Sequence, residues 1–134
     1  MNISKSSSIL LFLSGIIGLY VGGSLVFFPE WLQVQSGIFL DNNPSHFSET
    51  RAPGTAILSA SIFILVAVFK NEYRKLALGL TTLFFLSYGL GRLLSLFLDG
   101  MPAEGLFYAM IGEIAIGLSA LILWKKSENF QIKS

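Results

Sequence analysis

The chain has 134 residues, of which 53% are hydrophobic and only 13% charged. An ordinary soluble domain carries roughly 25% charged residues, so a soluble fold is a poor match to this composition. The net charge is +1 with no basic stripe, which argues against nucleic acid as a partner, and the absence of cysteine excludes disulfides, thiolate metal sites and cysteine nucleophiles.

The charges are also unevenly placed. None falls between Lys5 and Glu30, between Arg51 and Lys70, between Lys75 and Arg92, or between Glu113 and Lys125. Gaps of this kind are what membrane-spanning helices leave in a sequence. They predict four helices in a single domain covering 1–134, at roughly 8–28, 52–69, 76–98 and 103–124. At about 1.5 Å per residue each is about 27–35 Å long, which matches a hydrocarbon core of about 30 Å.

The first segment follows Lys5 and has some character of a secretion signal. Its apolar run of about 20 residues exceeds the usual signal core of about 7–15, and no A-x-A-like site follows. A retained helix is the reading. The connection that comes next, "PEWLQVQSGIFLDNNPSHFSET", is expected to be an outer interfacial loop over 29–51. Pro29 can open a short helix there. Trp31, Leu32, Val34, Ile38, Phe39 and Leu40 can lie along the membrane interface, with Trp31 as anchor. "DNNP" then breaks the segment. Ser48 or Thr50 is expected to cap the second helix, with Pro53 tolerated in its first turn.

Orientation follows from lysine and arginine. Lys5, the 70–75 turn (Lys70, Arg74, Lys75) and the C-terminal tail (Lys125, Lys126, Lys133) hold seven of the nine basic residues. The other two connections are acidic, with Glu30, Asp41, Glu49, Asp99 and Glu104. The positive-inside rule therefore places both termini and the 70–75 turn in the cytoplasm. Small residues recur at spacings of four: Ser14, Gly18 and Gly22; Ala52, Ala56 and Ala60; Gly105 and Ala109. Such ridges permit close helix approach in lipid. They are read as a seam within one bundle, with a homodimer or another membrane-protein partner as the alternative.

In the third helix Tyr88, Arg92, Ser95 and Asp99 are spaced by 4, 3 and 4 residues and form one polar stripe. Arg92 lies about 9 Å inside the outer end and can snorkel toward Asp99. Glu113 lies about 15 Å into the fourth helix, too deep for a carboxylate to reach water. It must be protonated, water-exposed in a cavity, or paired. Arg92 is the candidate partner, offset by about 6 Å in depth. Glu49 and Arg51, at the outer start of the second helix, are expected to join from above. The predicted site is thus a polar pocket of Glu49, Arg51, Tyr88, Arg92, Ser95, Asp99 and Glu113. It is either an ion-pair network that fixes helix register or a site for a small molecule, a lipid headgroup or a proton.

Other chemistries lack their residues. His46 is the only histidine, so neither a two-histidine haem nor a histidine metal cluster is expected. No lysine lies in mid-membrane, none of Ser24, Ser59, Ser61, Ser87 and Ser119 has a histidine near it in sequence, and "GLYVGGS" lacks the P-loop lysine. No catalytic residue, cofactor or metal is therefore expected.

Three stretches carry a resemblance. "SETRAPGTAILSASIFIL", "YGLGRLLSLFLDGMP" and "GEIAIGLSALIL" are similar to a bacterial family of small four-helix membrane proteins, domain of unknown function 4345, over nearly the whole chain. The most specific part, "GRLLSLFLDGMP", resembles the family's G-R-x-x-S-x-x-x-D-G-x-P. The resemblance carries over Glu49, Arg51, Gly91, Arg92, Ser95, Asp99, Gly100, Pro102 and Glu113. Pro53–Gly54 departs from the family pattern, in which an aromatic and paired glycines follow E-x-R-A. The resemblance implies fold, topology and a bacterial inner membrane, and no known activity.

The expectation is an all-α, polytopic four-helix transmembrane bundle with both termini cytoplasmic. Its function is read as non-enzymatic: the protein has an outward-opening pocket of Arg92, Glu113 and Asp99 that binds a small molecule or lipid, or it acts as an accessory subunit. The alternative is a small proton-coupled transporter or channel using Glu113. In the first reading Glu113 is locked to Arg92; in the second it is free in a cavity. Small multidrug exporters also hold a lone deep carboxylate, but in the first helix, which is uncharged here.

Overall fold

The computed structural model describes residues 3–131. In chain order it forms α1 (Ile3–Phe27), α2 (Pro29–Gln35), α3 (Pro44–Phe69), one 3₁₀ turn (Asn71–Tyr73), α4 (Arg74–Asp99) and α5 (Glu104–Gln131), with no strand among the described residues. The four long helices are each long and apolar enough to cross a membrane. α1, α3 and α5 are apolar nearly all round, as lipid-embedded helices are, and α4 alone is clearly two-sided.

Local chemistry sets the breaks. α1 stops just before Pro29, which opens α2 from the first helical turn, where a missing N–H costs nothing. α4 ends at Gly100, whose φ of 97° is open to glycine and strained for other residues. Pro102 follows two residues later.

The second long helix begins earlier than the apolar pattern predicts. Its cap is Asn43, whose Oδ1 accepts from the Ser45 N–H at 2.9 Å, with Pro44 as the first helical residue. Ser48 and Thr50 therefore lie inside α3 rather than at its start, and the Thr50 hydroxyl donates to the His46 carbonyl at 2.8 Å. Pro53 sits in the third turn, not the first. The expected 29–51 loop is thus mostly helical: α2, a connection over 36–43, and the first two turns of α3. Phe28, Trp31, Val34 and Phe39 are exposed along it, with Trp31 edge-on to Tyr20 at 6.2 Å. The other long helices also run past their predicted ends, α1 starting at Ile3 and α5 continuing to Gln131.

The long helices pair closely as α1 with α3 and α4 with α5, and the two pairs meet less extensively. Glycines set both seams. A Cβ on Gly22 would lie 2.6 Å from the Leu58 backbone nitrogen, and one on Gly117 would lie 2.9 Å from that of Leu86. The α1 ridge of Ser14, Gly18 and Gly22 does form a seam inside the chain. Its α3 partner is Gly54, Leu58 and Ser61, however, and not the predicted Ala52–Ala56–Ala60 ridge, since Ala52 and Ala56 are exposed. Gly105 is also exposed, and a Cβ there would meet nothing within 4 Å.

The core lies toward the end that carries the basic 70–75 turn. Leu11, Ile64, Ala67, Ala77 and Leu78 are buried there, backed by Phe63, Leu123 and Trp124. Buried hydroxyls spend their hydrogen bonds on their own helix: Thr81 to the Ala77 carbonyl and Thr82 to that of Leu78, both at 2.8 Å. A hydroxyl satisfied in this way can face an apolar core at little cost. Arg74 ties this end together. Its Nη1 donates to Ser4 Oγ at 2.6 Å and its Nη2 to the Val68 carbonyl at 3.3 Å. Its Nε is buried without a hydrogen-bond partner.

Candidate functional site

The site is built by the α4–α5 seam. A Cβ on Gly89 would meet Ile114 at 2.7 Å and the Glu113 Cβ at 3.4 Å. The missing side chain lets α5 approach closely at that level. One turn further along α4, Arg92 then stands beside Glu113. Its Nε donates to both carboxylate oxygens, at 3.0 Å to Oε2 and 3.3 Å to Oε1. The side chains keep 31% and 18% of their exposure, so the pair is largely withdrawn from its surroundings. Two charges held this way are costly to separate, because either one alone would be left poorly solvated.

The pair edges a cavity of about 260 Å³ between the two helix pairs. Its walls are apolar: Ile17 and Val21 from α1, Ile57 from α3, Phe84 and Phe85 from α4, and Ile116 from α5. The polar side chains in its lining are those of Tyr88, Arg92, Glu113 and Ser61. The Ser61 hydroxyl is already committed to the Ile57 carbonyl at 2.7 Å.

Of the predicted pocket residues, Tyr88, Arg92 and Glu113 come together here and the others do not. Arg92 turns sideways to Glu113 instead of outward to Asp99. Asp99 accepts from the Ser95 hydroxyl at 2.8 Å, and both residues are exposed one and two turns beyond the cavity. Glu49 is exposed on the first turns of α3 and is not part of the lining. Arg51 has a different task. Its Nε donates to the Val26 carbonyl at 3.1 Å, and its guanidinium lies 5.4 Å from the Phe47 ring centre. A cation on an orphan carbonyl of the last turn of α1 suits the negative end of that helix, which has no basic residue of its own there. Gly91 is exposed and a Cβ there would meet nothing within 4 Å, so it is not a packing residue, whereas Gly100 is the α4 cap and Pro102 is half-buried.

The apolar walls contributed by α1 and α3 were not predicted. No polar residue marks them, and apolar positions on a span look alike whether they face lipid or a cavity.

Four helices long and apolar enough to cross a membrane, two of them joined by an ion pair at the edge of an apolar cavity, give the chain the form of a multi-pass membrane protein. The chain belongs to the family described as Domain of unknown function (DUF4345), whose model matches residues 6–124. No curated protein and no solved structure matches it.

Proposed function

We propose that this is a non-enzymatic, multi-pass membrane protein that takes a small amphiphile into the cavity between its two helix pairs. The observation that carries the reading is the shape of the site: apolar walls from all four long helices, with polarity confined to one edge at Tyr88, Arg92 and Glu113. Binding sites commonly combine apolar walls with a few placed polar groups. The volume of about 260 Å³ falls just below the roughly 300–1,000 Å³ of drug-sized sites, so one chain or ring fits better than a whole two-chain lipid. Both oxygens of Glu113 face Arg92, which favours a binding site over a proton-coupled transporter whose carboxylate is free.

The test uses Gly112, which lines the cavity and has no atom within 4 Å of an added Cβ. Gly112→Leu is expected to fill the cavity without unfolding the protein. A diazirine-tagged alkyl chain should photolabel Phe84 in the parent and lose that site in the variant. Labelling at Leu83, exposed on the outside of α4, should persist in both. Unchanged labelling of Phe84 would sink the reading.

We also infer that the basic end faces the cytoplasm of a bacterial inner membrane, from the distribution of Lys5, Lys70, Arg74, Lys75, Lys125 and Lys126. The chain has no cysteine, so Asn42→Cys and Glu72→Cys are clean probes. An impermeant thiol reagent on intact cells should label the first and not the second; the reverse pattern would invert the orientation.

A further inference from the structure

The donors left unengaged at the cavity's polar edge belong to Arg92 and Tyr88. Arg92 offers Glu113 only its Nε. Its Nη1 and Nη2 amino groups have no hydrogen-bond partner among the described residues, and neither does the Tyr88 hydroxyl. Glu113, by contrast, has both oxygens engaged. The edge has these donors to give, and a guanidinium presents them as a flat fork that matches a carboxylate or phosphate. An ammonium or another donor would have to share Glu113 with Arg92.

Charge adds a second condition. The cavity holds one cation, Arg92, and one carboxylate, Glu113, with Tyr88 beside them; the lining residues from α1 and α3 include no titratable side chain. An arriving anion would give two negative charges to one positive charge in a poorly solvated place, which is costly. Neutrality returns when Glu113 takes up a proton. Arg92 then pairs with the ligand in place of Glu113, and the charges inside the cavity are again one positive and one negative.

The geometry points to a specific ligand class: a single-chain amphiphile with an anionic headgroup, held by the Nη1 and Nη2 groups of Arg92 and the Tyr88 hydroxyl, whose entry is coupled to proton uptake at Glu113. This rests on the amphiphile reading above and adds to it the sign of the headgroup and the proton.

The experiment is competition against the diazirine-tagged alkyl chain at Phe84, on the full chain in detergent near neutral pH. Lauric acid, lauryl alcohol and lauryl amine are the competitors, together with a lysophosphatidic acid carrying the same chain. The acid is expected to compete about tenfold or more better than the alcohol, as charge-assisted hydrogen bonds imply, and the amine is expected to be weakest. Lauric and lysophosphatidic acids together distinguish a carboxylate from a phosphate source. Arg92→Lys keeps the charge but loses the fork, and should bring the acid down to the alcohol; Tyr88→Phe should do so in part. In weakly buffered solution, laurate binding should draw protons from the medium. Glu113→Gln should abolish that uptake and still bind laurate.

If alcohol and acid compete equally, the headgroup assignment fails while the cavity reading stands. If the amine competes best, Glu113 is the recognising group and the proposal is overturned. If no competitor displaces the probe, both readings fail. Loss of laurate binding in Glu113→Gln, with the variant folded, would overturn the proton coupling.

Discussion

Leu11, Ile64, Ala67, Ala77 and Leu78 pack into one buried cluster at the basic end, beside an open groove between α1 and α5 lined by Leu10, Leu13, Ser119 and Ile122. A few turns away, Ile17, Ile57, Phe84 and Ile116 stand around a cavity of about 260 Å³. The same four helices build both regions, and both are apolar. The difference is what fills the centre, where α1, α3 and α4 meet. At the basic end small and branched side chains mesh, and Arg74 bridges to Ser4 and Val68. Toward the acidic end each pair keeps its own glycine seam, but the pairs do not mesh with each other, and polarity gathers at one edge. In lipid, burying apolar surface against another helix gives little net transfer energy. Helices therefore stay apart unless packing or a polar contact draws them together, and the Arg92–Glu113 contact acts within one pair, not across the gap.

The sharpest test of this contrast is the ion pair, since it is the strongest polar contact at the open end. Removing one member of a buried pair typically costs about 3–5 kcal/mol. Both side chains retain some exposure, so the lower end of that range is expected for Arg92→Gln or Glu113→Gln. The double variant should cost clearly less than the sum, with a coupling of about 2 kcal/mol. Reversible unfolding in mixed detergent micelles measures all three. Additive costs would mean that the polar edge is two independent groups and that the open end has no organised site.

A smaller effect separates the two ends directly. Leu78→Ala removes a fully buried side chain from the tight end. In water such a change costs about 2–5 kcal/mol, part transfer and part cavity. In a membrane the transfer part largely disappears, and about 2 kcal/mol is expected. Ile57→Ala at the cavity wall merely enlarges an existing space, so less than about 1 kcal/mol is expected. Equal costs in the same unfolding assay would show that the cavity wall is as well packed as the core.

Much of this arrangement is legible in the sequence, for identifiable reasons. The gaps between Lys5, Glu30, Arg51, Lys70, Lys75 and Arg92 reveal the spans because charge is excluded from lipid more strictly than any residue is required in it. Depth makes Arg92 the candidate partner of Glu113, since a carboxylate that deep cannot reach water, but it leaves Arg92 free to turn to Asp99 instead; the close α4–α5 approach at Gly89 decides between them. The start of α3 is hidden because hydropathy marks where the apolar stretch begins, while Asn43 and Pro44 set where the helix begins. The α3 seam is hidden for another reason. Small residues stand at Ala52, Gly54, Ala56, Ala60 and Ser61, on more than one face, so spacing alone does not choose between them. Only the fit of Gly54 against Leu25 does.

Arg51 shows how a shared level in the membrane can mislead, and it gives the smallest of the predicted effects. It lies at the same end as Asp99 and matches the family pattern, yet it caps α1 through the Val26 carbonyl and leans on Phe47. An exposed cation at a helix C-terminus contributes about 0.3–1 kcal/mol. Arg51→Gln is therefore expected to lower stability by about 0.5 kcal/mol and to leave photolabelling of Phe84 by the alkyl probe unchanged. Hydrogen exchange should quicken in the last turn of α1 and not around Glu113. Were Arg51→Gln instead to abolish labelling at Phe84, the α1 cap would be part of the cavity's support, and the open end would extend from the Arg92–Glu113 edge to the start of α3.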